Sequence, residues 1–307
     1  MSQNFLQRIK NERPKDNYMR NCSVEDYNSD PGWRRSEMVD FDKAPKCMLT
    51  RKRTTPEMQT GINFHSYFLT RDDFNRSFIF EPKEFEGKDK RKNSKTGGCK
   101  EDYDLWKKSP EIGGREILSS KIEKKFKGMS ESIMSHPPTR KILEKSMPEI
   151  SCFSYLDGVP VKVRVDMERF VEEPVLVDIK TTSSAYPGAN FEEIQRVIMN
   201  YKYYRQAAFY LDIYNHVMET KATKFLLVFI EKEEPFMGLS VMMNPEWIEK
   251  GRQENQDSLE NFKRWLDSGS EDTFYSIDIE SVPIPSWASP RVGIKPVDNS
   301  EIPSKIN

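Results

Sequence analysis

Apolar and polar positions alternate most strictly between residues 152 and 182, and that two-residue period predicts strands. Residues 152–156, then Asp157-Gly158, then the run from Val159 predict a hairpin with a two-residue turn, for which Asp-Gly is a preferred pair. In the second strand Val159, Val161, Val163 and Val165 share one face, while Lys162, Arg164 and Asp166 share the other. Glu172-Glu173-Pro174 predicts a turn, after which Val175, Val177 and Ile179 alternate with Leu176, Asp178 and Lys180. Residues 225–230 make a continuous apolar run of strand length, and 238–243 predict one strand more.

Elsewhere the spacing is helical. Ser36 is placed as the N-cap of a short helix through Met38, Phe41 and Ala44. Thr55-Pro56-Glu57 opens a second helix with proline in its first turn, and Met58, Ile62, His65 and Leu69 recur on one face. Residues 121–133 and 139–145 predict helices split by His136-Pro137-Pro138. Residues 191–218 predict one long helix with a core stripe of Ile194, Val197, Ile198, Tyr201, Tyr204, Ala208 and Leu211. Pro245 opens a last amphipathic helix through Trp247, Ile248, Leu259, Phe262 and Leu266. The expected organisation is an irregular N-terminal segment (1–35), one α/β domain (36–285) with a long charged loop near 81–104, and a tail (286–307) over the surface.

Composition narrows the class. The chain has 307 residues, of which 32% are charged and 36% hydrophobic, which suits a water-soluble globular protein. The run 225–230 is far too short to span a bilayer, and the first residues carry no apolar stretch of a secretory signal. An intracellular, cytoplasmic protein is expected. The four cysteines (Cys22, Cys47, Cys99, Cys152) include no C-x-x-C pair, so reduced thiols are expected. With a net charge of −1, polyanion contacts must come from local clusters such as Lys46, Arg51, Lys52 and Arg53, or Lys88, Lys90, Arg91, Lys92 and Lys95. Each cluster alone is more often a solvated surface.

The residues that carry chemistry are Asp166 and, in the following strand, Asp178 and Lys180. The i, i+2 spacing puts Asp178 and Lys180 on one face, and the turn at 172–174 can fold Asp166 back beside them. Paired carboxylates supply the oxygen ligands that hard divalent cations require. The plainer alternative is a cross-strand ion pair on a solvated face, contributing about 0–1 kcal/mol. Strands this rich in valine belong in the middle of a sheet, where exposed charge is less expected, and that favours the metal reading.

The segments Gly-Val-Pro-Val-Lys-Val-Arg-Val-Asp (158–166) and Val-Asp-Ile-Lys-Thr-Thr (177–182) resemble the PD-(D/E)XK nuclease superfamily, and within it the RecE-type exonucleases, related to lambda-type exonucleases. Gln206-Ala207-Ala208-Phe209-Tyr210 resembles that family's Q-x-x-x-Y helix motif, and Gly61-Ile62-Asn63-Phe64-His65, with Phe74 following, its upstream histidine motif. Phe41-Asp42-Lys43-Ala44-Pro45, Glu231-Lys232-Glu233-Glu234-Pro235-Phe236 and Pro283-Ile284-Pro285-Ser286-Trp287 resemble further landmarks in order along the chain.

The resemblance implies a central mixed β-sheet flanked by helices and a metal-dependent double-strand DNA exonuclease. Such an enzyme runs 5′ to 3′, releases 5′-mononucleotides and leaves a 3′ single strand for recombination or repair. It implies Mg²⁺, with Mn²⁺ substituting, held by His65, Asp166, Asp178 and the backbone carbonyl of Ile179. Lys180 would be the catalytic lysine, with Gln206 and Tyr210 flanking it. A histidine on an apolar helix stripe is ordinarily a packed core residue; the motif around His65 turns the reading towards ligation. His136 and His216 have no such context. A ring-shaped homo-oligomer (trimer or tetramer), a single-strand annealing recombinase as partner, and a phage or prophage origin follow from the same resemblance.

Arg164 shares a strand face with Asp166 and could grip a phosphate or form a salt bridge; Glu149 is an auxiliary acid candidate. Arg34, Arg35 and Ser36 are candidates for a terminal phosphate near a helix start, with Thr181 and Thr182 as further DNA contacts. Three other readings compete. An iron–sulfur branch of the superfamily needs cysteines after the Q-x-x-x-Y helix, and the last cysteine here is Cys152. An endonuclease would use the same metal site. A binding module without activity would lack an acidic ligand or the lysine, and both are present.

Overall fold

The computed structural model describes residues 17–19, 22–50, 54–92, 99–182 and 191–268. In chain order the elements are β1 (Asn17–Met19), α1 (Val24–Ser29), α2 (Arg35–Phe41), α3 (Pro45–Leu49), α4 (Pro56–Leu69), α5 (Arg71–Ser77), β2 (Phe78–Phe80) and α6 (Cys99–Lys107). They continue as β3 (Glu116–Leu118), α7 (Ser120–Ser135), α8 (Pro137–Leu143), β4 (Met147–Leu156), β5 (Val159–Arg169) and β6 (Val175–Thr182). Last come α9 (Phe191–Asn200), α10 (Tyr203–Met218), β7 (Lys224–Glu231), β8 (Gly238–Met242) and α11 (Pro245–Ser268).

The main sheet has six strands in the order β1-β4-β5-β6-β7-β8, and β2 pairs with β3 in a small parallel sheet. Among the described residues β6 and β7 pair in parallel and the other neighbours in the main sheet antiparallel, so the sheet is mixed. Asp157 and Gly158 both have positive φ (48° and 81°), the backbone a two-residue hairpin turn demands.

Both faces of the sheet are covered. Val159, Val161, Val163, Val165 and Leu176 face a core shared with α2, α9, α10 and α11. Val175, Val177 and Ile179 face a second core with Phe64 of α4, Phe74 of α5 and Phe126 of α7. Alternate residues of β6 therefore enter opposite cores, which is what puts Asp178 and Lys180 together on one side. The connection between β7 and β8 is tied back to α7 by Lys124–Glu234 (2.7 Å) and Lys125–Glu233.

Several expectations are corrected. The segment ahead of residue 36 is not wholly irregular: β1 pairs with the edge of β4, and Trp33 is fully buried. Trp33 stacks on Phe262 at 4.2 Å, and its backbone bridges β5 through Trp33 N–H to Pro160 O (2.7 Å) and Lys162 N–H to Trp33 O (3.1 Å). Part of the expected loop 81–104 is structured, with a 3-10 turn at Lys83–Phe85 and the start of α6. Arg34, not Ser36, stands at the N-cap of α2; its backbone N–H donates to Glu37 Oε2 at 2.8 Å. On α4 the buried residues are Gly61, Asn63, Phe64, Tyr67 and Leu69, while Met58 and Ile62 are exposed. The single helix 191–218 is two helices, broken at Lys202 with φ 52°, and Tyr201 leaves the core stripe. The tail 286–307 and the segment 283–287 lie outside the described residues, as do Arg51, Lys52, Arg53 and Lys95.

The close crossing of α10 and α11 depends on one glycine. A Cβ on Gly251 would come within 2.4 Å of the Tyr204 carbonyl oxygen, a backbone atom that cannot swing aside. Gly251→Ala is expected to lower stability by about 1–3 kcal/mol, the usual cost of overpacking, as measured by urea unfolding. An unchanged midpoint would mean that the two helices separate freely.

Candidate active site

The site forms where β5 and β6 part. Their ladder runs through Met167–Val177, Glu168–Leu176 and Arg169–Val175. At the next position the carboxylate of Asp166, rather than its backbone carbonyl, takes the strand hydrogen bond: Oδ2 accepts from Ile179 N–H at 2.7 Å. The same irregularity shows on the other side of β5. Its pairing with β4 skips the Glu149–Asp166 position, and Glu149 has φ 56°. Beyond it the strand changes face, since Val165 lies in the first core and Met167 in the second, while the register with β4 is the same on both sides and no residue is inserted.

Four elements converge on this gap. His65 of α4 places Nδ1 3.4 Å from Asp166 Oδ2. Lys180 Nζ lies 2.6 Å from Asp178 Oδ2, off the line of a directed hydrogen bond, so that this buried oxygen keeps an unfilled acceptor position. The other oxygen, Oδ1, accepts from Gln206 Nε2 of α10. Lys180 Nζ also sits 5.0 Å from the centre of the Tyr203 ring.

The two carboxylates are electrostatically unlike. Burial disfavours ionisation of Asp166, but His65, Lys180 and the Ile179 N–H outweigh it and hold its pKa below the ordinary value. Burial raises the pKa of Asp178, with Lys180 opposing and the negative Asp166 adding to the rise. His65 is destabilised as a cation by burial, yet the charge and hydrogen bond of Asp166 prevail and its pKa is raised. Glu149 is raised by burial and by Asp166, and its ion pair with Arg164 offsets part of this.

Among the described residues no three His, Cys, Asp or Glu side chains surround a common point as a ready-made metal cage. The donors nevertheless fit a hard divalent cation. They are mainly carboxylate oxygens, and Asp178 Oδ2 is buried with the Lys180 ammonium as its near counter-charge, while burial and the neighbouring Asp166 carboxylate still disfavour its ionised form, a pressure that a bound cation would relieve.

Residues 36–280 match the family described as the PDDEXK-like domain of unknown function DUF3799. The chain belongs to this PDDEXK-like family. No curated protein matches it significantly in sequence. A crystal structure described as a "Putative exonuclease" from Eubacterium rectale is similar in fold, with a TM-score of 0.54 at 13% identity over 87% of this chain and 97% of that one. The crystal structures of SSO0001 (TM-score 0.25, 14% identity, 42% of this chain and 57% of that one) and of protein VC1899 from Vibrio cholerae (0.21, 8%, 77% and 57%) overlap too loosely to carry an argument.

In this PDDEXK-like fold the sequence candidates divide into those at the gap and those committed elsewhere. His65, Asp166, Asp178, Ile179, Lys180 and Gln206 meet there. Tyr210 is one turn further along α10, packed edge-on to Phe225 at 6.0 Å, and burial raises its phenol well above the ordinary pKa. Thr181 lies against Gly61, where a Cβ would approach its hydroxyl to 2.8 Å, and Thr182 O accepts from Lys232 N–H at 2.9 Å. Ser36 is exposed in the first turn of α2.

The arginines are already engaged, but not fully. Arg34 pairs with Glu37 at 3.1 Å, Arg164 pairs with Glu149, and Arg35 donates to the carbonyls of Tyr201 and Lys202. Each keeps one buried N–H without a partner: Nε of Arg34, Nε of Arg35 and Nη1 of Arg164. In the charged cluster near residue 90, Lys90 pairs with the buried Glu81. The four cysteines are free thiols, as expected.

Glu149 deserved more weight than the sequence reading gave it, and the signal was present. A two-residue turn at 157–158 pairs Leu156 with Val159, and counting back along both strands brings Glu149 opposite Asp166. Tyr203, under Lys180, carried no comparable signal, because its neighbourhood depends on the break in the helix.

Proposed function

We propose that the chain is a metal-dependent double-strand DNA exonuclease, acting 5′ to 3′, releasing 5′-mononucleotides and leaving a 3′ single strand for recombination or repair. The observation that carries this reading is Asp178: a buried carboxylate oriented by Gln206, with Lys180 at 2.6 Å and one oxygen without a hydrogen bond, beside Asp166 at the parting of two central strands. The name of the Eubacterium rectale fold neighbour and the resemblance to RecE-type exonucleases support exonuclease over endonuclease.

Asp166 and Asp178, with His65 and the Ile179 carbonyl, would hold Mg²⁺, or Mn²⁺ in its place. When bound, the cation supplies Lewis-acid polarisation of the scissile phosphate. The chain's own groups do the rest. Gln206 fixes the Asp178 carboxylate, and the Ile179 N–H fixes Asp166. Lys180 donates to the attacking water or to the phosphate oxygen on which charge develops. The unpartnered N–H groups of Arg34, Arg35 and Arg164 suit phosphate oxygens of the bound strand. Double-stranded DNA is the expected substrate, a single-strand annealing recombinase the expected partner and a trimeric or tetrameric ring the expected assembly. The compartment would be the cytoplasm of a bacterium or phage-infected cell; no described helix is long and apolar enough to cross a membrane.

The test is cleavage of a linear 5′-phosphorylated duplex and of the same sequence as a closed circle, in Mg²⁺ and in EDTA. The expected result is mononucleotides from the linear duplex alone, dependent on the metal. Cutting of the circle makes the protein an endonuclease, and binding of DNA without cleavage in Mg²⁺ makes it a binding module.

A further inference from the structure

The break between α9 and α10 is a built feature beside the acidic site. A helix carried straight through residues 200–203 would bury Tyr201 on the stripe with Ile194 and Ile198. Instead Lys202, a residue with a side chain, adopts the left-handed conformation (φ 52°, ψ 41°), which glycine accepts far more readily. The break is clamped from another element: Arg35 of α2 donates to the carbonyl of Tyr201, at the end of α9, and to that of Lys202, which also accepts from Arg205 N–H at the start of α10.

The consequence is an aromatic step next to Lys180. Tyr201 is 62% exposed, an unusual state for a tyrosine. Its ring stacks on Tyr203 at 5.5 Å with an interplanar angle of 15°. Tyr203 is anchored below by Phe229 at 5.9 Å, and Lys180 Nζ lies 5.0 Å from its ring centre. The stack thus runs from the core, past the lysine, to a ring open to solvent.

We propose that Tyr201 and Tyr203 form a stacking platform for a nucleobase of the DNA strand whose phosphate lies at Lys180; this rests on the nuclease reading above. The occupant is fixed by adjacency. A phosphate held at Lys180 carries its own base within reach of these rings, and a base adds one more flat ring to a stack already begun. Every base has a π-face, so the platform tolerates any sequence, as a degradative enzyme requires. A base held there is also withdrawn from its complement, which orients the terminal nucleotide for hydrolysis.

The experiment places the fluorescent adenine analogue 2-aminopurine at the first, second or third nucleotide from either end of a duplex. The full-length protein is titrated in Ca²⁺ for binding and in Mg²⁺ for cleavage. Stacking on an aromatic ring quenches the analogue, and release as a mononucleotide brightens it. The expected result is quenching at one position by the wild type and by Tyr201→Phe. Tyr201→Ala should lose that quench and raise KM by about five- to 150-fold. An abasic nucleotide at that position should raise the wild-type KM similarly and leave Tyr201→Ala indifferent to the change.

Cleavage with a quench unaltered in Tyr201→Ala overturns the platform and leaves the nuclease standing. A Tyr201-dependent quench without cleavage in Mg²⁺ or Mn²⁺ keeps the platform and removes the nuclease. No quench and no cleavage overturns both. A change of oligomeric state in Tyr201→Ala, seen by light scattering, makes the pair a subunit contact and overturns the platform.

Discussion

Lys180→Ala is expected to lower the cleavage rate by about 10²–10³-fold, the usual loss when one preorganised donor to a developing charge is removed. Asp178→Ala should go further and leave no metal-dependent cleavage, because it removes the oxygen donors themselves. Gln206→Ala should be the mildest of the three. It touches no reacting atom but orients Asp178 Oδ1, and losing such a support typically weakens metal affinity by about 10–100-fold. Raising Mg²⁺ should therefore restore Gln206→Ala and not Lys180→Ala. All three substitutions remove side chains only and leave the β6–β7 backbone pairing of Asp178 and Lys180 and the helix of Gln206 in place, so circular dichroism should show an unchanged fold. A folded Asp178→Ala protein with full Mg²⁺-dependent activity would sink the assignment of the site.

How much of this was legible beforehand depends on how local each cause is. The hairpin at Asp157-Gly158 and the opposed faces of β5 and β6 follow from the two-residue period and a turn pair with positive φ. Those features need no knowledge of the rest of the chain, and they put Asp178 and Lys180 on one face; Asp166 joins them only because β5 changes face between Val165 and Met167, which the alternation did not predict. The helix carrying Gln206 was likewise readable from its apolar spacing, since Tyr204, Ala208 and Leu211 recur on one side within the helix itself and fix its buried face whatever lies upstream.

What was hidden has distant causes. The break at Lys202 is held by Arg35, whose guanidinium comes from a helix far back in the sequence, so the apolar spacing of 191–218 runs on as though nothing intervened. Trp33 is flanked by charge and by Pro31-Gly32 and reads as surface; its burial comes from Phe262 and the bridge to β5. On α4, Met58 and Ile62 gave the stronger apolar signal, but the sheet takes the other face because Gly61 lets the helix backbone approach Thr181. In each case a tertiary partner overrides a local pattern.

The largest stability effect away from the site is expected at Asp42. Arg205 is buried to 1% exposure, and its guanidinium is divided among Asp42, Asn255 Oδ1 (2.9 Å), Ser258 Oγ (2.7 Å) and the Glu254 carbonyl (3.3 Å). Arg205 itself is on α10 and its partners belong to α11 and the end of α2, so one buried cation joins three elements of the first core. Asp42 holds the network from its own side, accepting also from Ser258 Oγ at 2.6 Å. Asp42→Ala leaves the arginine charge in the interior with only the partly exposed Glu254 carboxylate, 3.9 Å away, to oppose it. The expected loss is about 3–5 kcal/mol, read from urea unfolding, because the penalty is that of an uncompensated buried charge rather than of one lost contact. Asp42→Ala combined with Arg205→Met removes the charge as well, and should be less destabilised than the two single losses summed. Strict additivity would show that Arg205 never depended on Asp42, and that α2 is held to α10 by apolar packing alone.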